Sequence, residues 1–155
     1  MSKPTPTQSG ELAGIARRSA PKAVMEPIRQ AALTCSKGVM GDARGKSGKR
    51  QVTVLSAQSW SEVNRELGSR LDWLERRANL LVEGVTFCPD DVGRVLSVGT
   101  ARLRITCECD PCSRMEAVHP GLRAALEPSW RGGVCCRVEV EGLIQIGDQV
   151  QWVDP

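Results

Sequence analysis

The stretch RVLSVGTARLRITCEC, Arg94 to Cys109, divides at Gly99–Thr100 into two short runs of strand composition. In the second run Leu103, Ile105, Cys107 and Cys109 alternate with Arg102, Arg104, Thr106 and Glu108. A period of two marks a half-buried strand, and it predicts both cysteines on the apolar, inward face. Outward from this pair, runs of the same kind recur: ELAGIAR (Glu11–Arg17), QAALT (Gln30–Thr34), NLLVEG (Asn79–Gly84), GVCCRVEVEG (Gly133–Gly142) and DQVQWVD (Asp148–Asp154). QVTVLS (Gln51–Ser56) is β-branched and apolar at its centre, the composition of a buried strand. Helical signals are fewer. In SAQSWSEVNRELG, Ser56 suits an N-cap, Gly68 a stop, and Trp60, Val63 and Leu67 form one stripe. PGLRAALEP (Pro120–Pro128) is a short helix bracketed by prolines. Many short strands and about two short helices predict a mainly antiparallel β-barrel with helical inserts.

The chain has 155 residues, 41% hydrophobic and 25% charged, as expected of one globular domain. The Pro/Thr/Ser-rich start reads as a flexible tail over 1–10, leaving a single domain over 11–155. It carries no apolar signal-peptide core, and no run approaches the roughly 20 apolar residues of a membrane helix. A cytoplasmic setting is therefore expected, where cysteines stay reduced. The odd count of seven cysteines agrees, since a full disulfide framework would leave one over. Net charge is +3, with basic residues concentrated in ARGKSGKR (Ala43–Arg50) and RLDWLERR (Arg70–Arg77). Such runs read as solvated surface or as an anion site. Nucleic acid is disfavoured: aromatics are 3%, and RGG at Arg131–Gly133 occurs once.

Cys107, Cys109 and Cys112 form C-x-C-x-x-C, and with His119 they could supply four tetrahedral zinc ligands of a structural or interaction module. Against this, the alternation directs Cys107 and Cys109 into the core, where thiols pack as small hydrophobes, as Cys135 and Cys136 also would. Cys112 lies outside the alternating run, after the Asp110–Pro111 turn, where a side chain can reach a cleft. Arg114 is close in sequence, and a nearby cation favours the thiolate, the reactive and metal-binding form. GKS at Gly45–Ser47 lacks the first glycine of a phosphate-binding loop, and a strand rather than a helix follows it.

Taken in order, GVMGD (Gly38–Asp42), RQVTVLS (Arg50–Ser56), RRANLLVEG (Arg76–Gly84), VGRVLSVGTARLRIT (Val92–Thr106), DPC (Asp110–Cys112), RGGVCCRV (Arg131–Val138) and GLIQIGDQV (Gly142–Val150) resemble the MOSC family. That family is named for the C-terminal domain of molybdenum-cofactor sulfurases. The resemblance implies a β-barrel fold and a functional cysteine in the Pro-Cys element, here Cys112. It implies binding of the molybdenum cofactor (molybdopterin) with Cys112 as metal ligand, or carriage of sulfur on Cys112 as a persulfide. A thiolate suits both roles, as a soft ligand and as a nucleophile. The family's Arg-x-Asn element falls on Arg77 and Asn79, expected at the anionic end of the cofactor, with Arg50, Lys46, Lys49 and Arg114 adding positive charge. An enzyme of this type would be an oxidoreductase of N-hydroxylated compounds or sulfurtransferase-like. A carrier would meet a cysteine desulfurase or a redox or molybdoenzyme partner. No pyridoxal phosphate is expected, and no membrane association. A family member whose barrel only binds a protein or an anion is the remaining alternative.

Overall fold

A computed structural model describes residues 8–43 and 45–153. In chain order the elements are β1 (Ser9–Arg17), β2 (Glu26–Ile28), β3 (Gln30–Thr34), β4 (Gly38–Val39), β5 (Val52–Ser56), α1 (Ala57–Leu67), β6 (Leu80–Glu83), β7 (Val95–Val98), β8 (Ala101–Glu108), α2 (Ser113–Val118), α3 (Leu122–Leu126), β9 (Val134–Val140), β10 (Gly142–Gln145) and β11 (Gln149–Val153). The expected tail lies outside the described residues as far as residue 7. Its Ser9 and Gly10 already belong to β1 and pair with Gln151 and Val150.

β7 and β8 form the hairpin expected at Gly99–Thr100, with Gly99 at φ 55°, a left-handed turn position suited to glycine. From there the strands run β11-β7-β8-β9-β5-β6-β1, and β1 pairs back onto β11, closing a seven-stranded barrel. β2 extends from the far end of β1, and β10-β3-β4 make a small separate sheet. Every pairing is antiparallel except β5–β6. The exception follows from connectivity. α1 and a 3-10 turn at Trp73–Arg76 carry the chain back between these two strands, as a parallel pair requires.

Val54, Leu80, Val82, Leu96, Leu103, Ile105, Val134, Cys136 and Val150 fill the barrel. A second apolar cluster lies against the opposite face of β5, where Leu55 joins Trp60 and Val63 of α1, Met115 of α2, and Leu122 and Leu126 of α3. Both faces of β5 are therefore covered, in keeping with its mainly apolar run and the burial of all five residues. α2, absent from the sequence reading, makes three α-helices among the described residues.

The alternation in β8 holds only to Ile105. Ile105 faces Cys136 and Cys107 faces Cys135, so two steps on β8 match one on β9, and Thr106 is the extra residue of a bulge. The bulge flips the phase. Cys107 and Cys109 are half-buried rather than in the core, and Cys136 takes the inward position. Among the described residues no helix is long and apolar enough to cross a membrane.

Candidate functional site

Past the bulge, the Cys109 N–H donates to Gly133 O at 2.9 Å, the last tie between this strand end and β9. The chain then turns through Asp110 and the buried Pro111 and enters α2 directly after Cys112. Cys112 has extended backbone angles, and its carbonyl accepts the Met115 N–H at 2.9 Å. Met115 is sunk in the helical cluster, so the apolar packing of α2 fixes the turn while the Cys112 side chain stays exposed.

Cys112 opens onto a hollow of about 190 Å³ lined by Arg50, Arg76, Arg77 and Arg114, by Cys109 and Asp110, and by Gly132. Four arginines against one carboxylate are a lining whose charge suits an anion, and two cysteines add soft-donor atoms to it. Arg76 is buried and built into the wall. Its Nε donates to Gly132 O at 3.1 Å, and its Nη2 donates to Cys109 O at 2.7 Å and reaches Cys109 Sγ at 3.4 Å. A Cβ on Gly132 would sit 2.7 Å from Cys109 O and 3.0 Å from Arg76 Nη2, so only glycine allows this approach. Arg77 ends the 3-10 turn at φ 66°, a left-handed conformation uncommon for a residue with a Cβ, and donates from Nη2 to Ala23 O at 3.2 Å. Arg77 and Arg114 also line an adjoining groove of about 330 Å³ with Val24, Met25, Leu74 and Val118.

Electrostatics around the thiols are uneven. Burial, and then a hydrogen bond to Asp110, hold the Glu108 carboxyl above the usual Glu range. Cys135 is held far up, first by its hydrogen bond to Cys109 and then by burial, and burial does the same to Cys136. These two strand thiols therefore stay protonated.

Of the residues expected at a site, Cys112, Arg50, Arg77 and Arg114 meet in the hollow. Lys46 and Lys49 are exposed and do not line it; the Lys49 carbonyl is held by the Thr106 hydroxyl. Asn79 does not line it either. Its buried Oδ1 accepts from Thr53 N–H at 3.0 Å, and its Nδ2 donates to Ala16 O at 3.2 Å, so the amide ties β5 to β1 across the start of β6. The sequence reading missed Arg76 and Gly132, and it named Cys109 only as a core thiol or a zinc ligand. Arg76 had a signal in the RR pair of the basic run; Gly132 had one in the Gly-Gly before β9. The zinc cage is not assembled. Among the described residues no group of three or more His, Cys, Asp or Glu side chains is arranged to hold a metal ion, and His119 Nδ1 lies 2.8 Å from Pro120 O.

Two larger grooves lie elsewhere. One borders β10 and the Gly99 turn, and the other borders Glu11, Gln58 and Glu83; neither contains a thiol or an arginine. Chemistry rather than size singles out the hollow at Cys112.

Solved structures with the same architecture include the YuaD protein from Bacillus subtilis, at TM-score 0.76 and 20% identity, covering 95% of this chain and 97% of that one. YiiM from Geobacillus stearothermophilus matches at TM-score 0.68 and 20% identity, over 96% of this chain and 76% of its own. YiiM from Escherichia coli matches at 0.69 and 14%, over 94% and 70%. At these identities the likeness is one of fold. No curated protein gives a significant sequence match. The description of the MOSC domain family fits residues 35–151, a span that includes the bulged strand, the Asp-Pro-Cys turn and every arginine of the hollow. With barrel and sequence in agreement, the chain belongs to the MOSC domain family.

Proposed function

We propose that the arginine-lined hollow receives the molybdenum cofactor, with the Cys112 sulfur beside its metal. One juxtaposition supports this reading: an exposed cysteine, Cys112, shares a hollow with arginines from three separate segments, Arg50, Arg76–Arg77 and Arg114. The donor set fits the group. Guanidinium forks suit a phosphate, and a thiolate is a soft ligand for a thiophilic metal. The hollow alone is below the ~300–1,000 Å³ usual for ligand pockets, but with the groove that shares Arg77 and Arg114 it comes within that range. When bound, the cofactor supplies redox chemistry at molybdenum. The chain's own part is to neutralise the phosphate through Arg50, Arg77 and Arg114, and to hold Cys112 at the rim through the buried Met115.

Exposure of Cys112 favours a second use of the same site. A sulfur at the rim is open to a donor such as a cysteine desulfurase, and could carry a persulfide toward a molybdoenzyme partner in a reducing, cytoplasmic setting. Elemental analysis of protein made in cofactor-competent cells tests both readings. Stoichiometric molybdenum in the wild type, lost in Cys112→Ser with the fold intact, is the result expected for ligation. Sulfane sulfur on Cys112 without molybdenum would replace ligation by carriage. Neither metal nor sulfur at Cys112 would overturn both.

A further inference from the structure

Cys109 also lines the hollow, and nothing in the cofactor-binding reading uses it. It directly follows β8, three residues before Cys112, so the two cysteines bracket the Asp110–Pro111 turn and line the same small hollow. The buried guanidinium of Arg76 lies 3.4 Å from Cys109 Sγ and also grips its carbonyl at 2.7 Å. A guanidinium so placed favours a sulfur in its anionic form and holds it in one position. Cys112 is exposed, whereas Cys109 is half-buried. An outer thiol that can be loaded and an inner thiol that is held by a cation are the two parts of a resolving pair.

We propose that Cys109 resolves sulfur carried on Cys112, converting the loaded site into a Cys109–Cys112 disulfide and releasing hydrosulfide. This rests on the sulfur-carriage reading above. The Cys109 thiolate attacks Sγ of the Cys112 persulfide, the new S–S bond forms between the two cysteines, and the bond to the outer sulfur breaks. The outer sulfur takes the electron pair and leaves as HS⁻, so the sulfane sulfur is reduced and the two cysteines are oxidised. No further oxidant enters. A dithiol reductant then returns the pair to thiols by exchange. Cys135, which also touches Cys109, is not the partner. It is buried in β9, keeps its proton, and has no route to solvent for sulfur delivered from outside.

The test uses reduced full-length protein treated with limiting inorganic polysulfide, then desalted and followed by intact mass, peptide mapping and sulfide release. Wild type is expected to become lighter by two hydrogens, with the bridge at Cys109–Cys112 and sulfide released in step. Cys109→Ser is expected to retain one added sulfur on Cys112 and to release sulfide about tenfold or more slowly. If wild type keeps the added sulfur on Cys112 as long as Cys109→Ser does, the resolving role is overturned while carriage stands. A bridge to Cys135 also overturns it. If Cys112 takes up no sulfur in either protein, carriage itself fails and the inference falls with it.

Discussion

Arg77 holds its backbone in the left-handed region at φ 66° and also lines the hollow, so folding and the proposed binding make opposite demands on this residue. Left-handed angles cost a residue bearing a Cβ roughly 1 kcal/mol relative to glycine. Arg77→Gly should therefore leave thermal stability within about 1 kcal/mol of wild type, as relief of the backbone offsets the lost bond to Ala23 O. Its molybdenum content should nonetheless fall strongly, and a variant that is equally stable and fully loaded would remove Arg77 from the site. Glu108 makes a different kind of prediction. Its folded pKa is raised by burial and by Asp110, so its stabilising contribution is present below the ordinary Glu value of 4.5 and is lost as pH climbs through the raised value. Denaturant unfolding should show wild type losing stability across that window relative to Glu108→Gln. Parallel curves for the two proteins would contradict it. The exposure of Cys112 at a hollow was legible from its place after a Pro turn. The meeting of Arg76 with Cys109 was not, because it joins residues that sequence spacing does not bring together.

Among the elements, α2 carries most of the site's geometry with very little of its own. It has six residues, and one of them, Met115, is buried. Six residues with one fully buried side chain are too short a run to establish helical periodicity, which is why the segment escapes pattern reading. α1, by contrast, shows all its signals: Ser56 caps it by accepting from Ser59 N–H at 3.4 Å, and Gly68 ends it at φ 62°. Met115→Ala should cost about 2–4 kcal/mol by leaving a cavity between α2 and β5, measurable by denaturant unfolding. It should also loosen Cys112, read as faster native-state alkylation of that thiol. Unchanged stability would mean that α2 is not anchored as described. The β8 bulge is the second decisive element. Strict alternation in the sequence predicts Cys107 and Cys109 facing inward; one unpaired residue, Thr106, turns them out of the core and delivers Cys109 to the hollow.

For the whole molecule, closure of the barrel by β11 is the event on which everything else depends. β11 pairs with β7 on one side and β1 on the other, and its Trp152 packs edge-on to Phe87 at 6.0 Å with Arg94 stacked 4.0 Å above the ring. A chain ending after Gly147 loses this strand, opens two sheet edges and exposes the core. It should fail to show cooperative unfolding by circular dichroism; a truncated chain that melts sharply would show the ring to be dispensable. The barrel strands, the buried character of β5, the capped α1 and the mainly antiparallel β class were readable from composition and periodicity, because burial of one face or both leaves a local imprint on residue choice, whereas the short β2, β4 and β10 were not read as strands. The parallel β5–β6 step, the bulge at Thr106, the structural use of Asn79 and the meeting of Arg76 with Cys109 came only with the tertiary fold. Each of these depends on partners far away in the chain, and a partner's identity leaves no periodic trace in the segment that meets it.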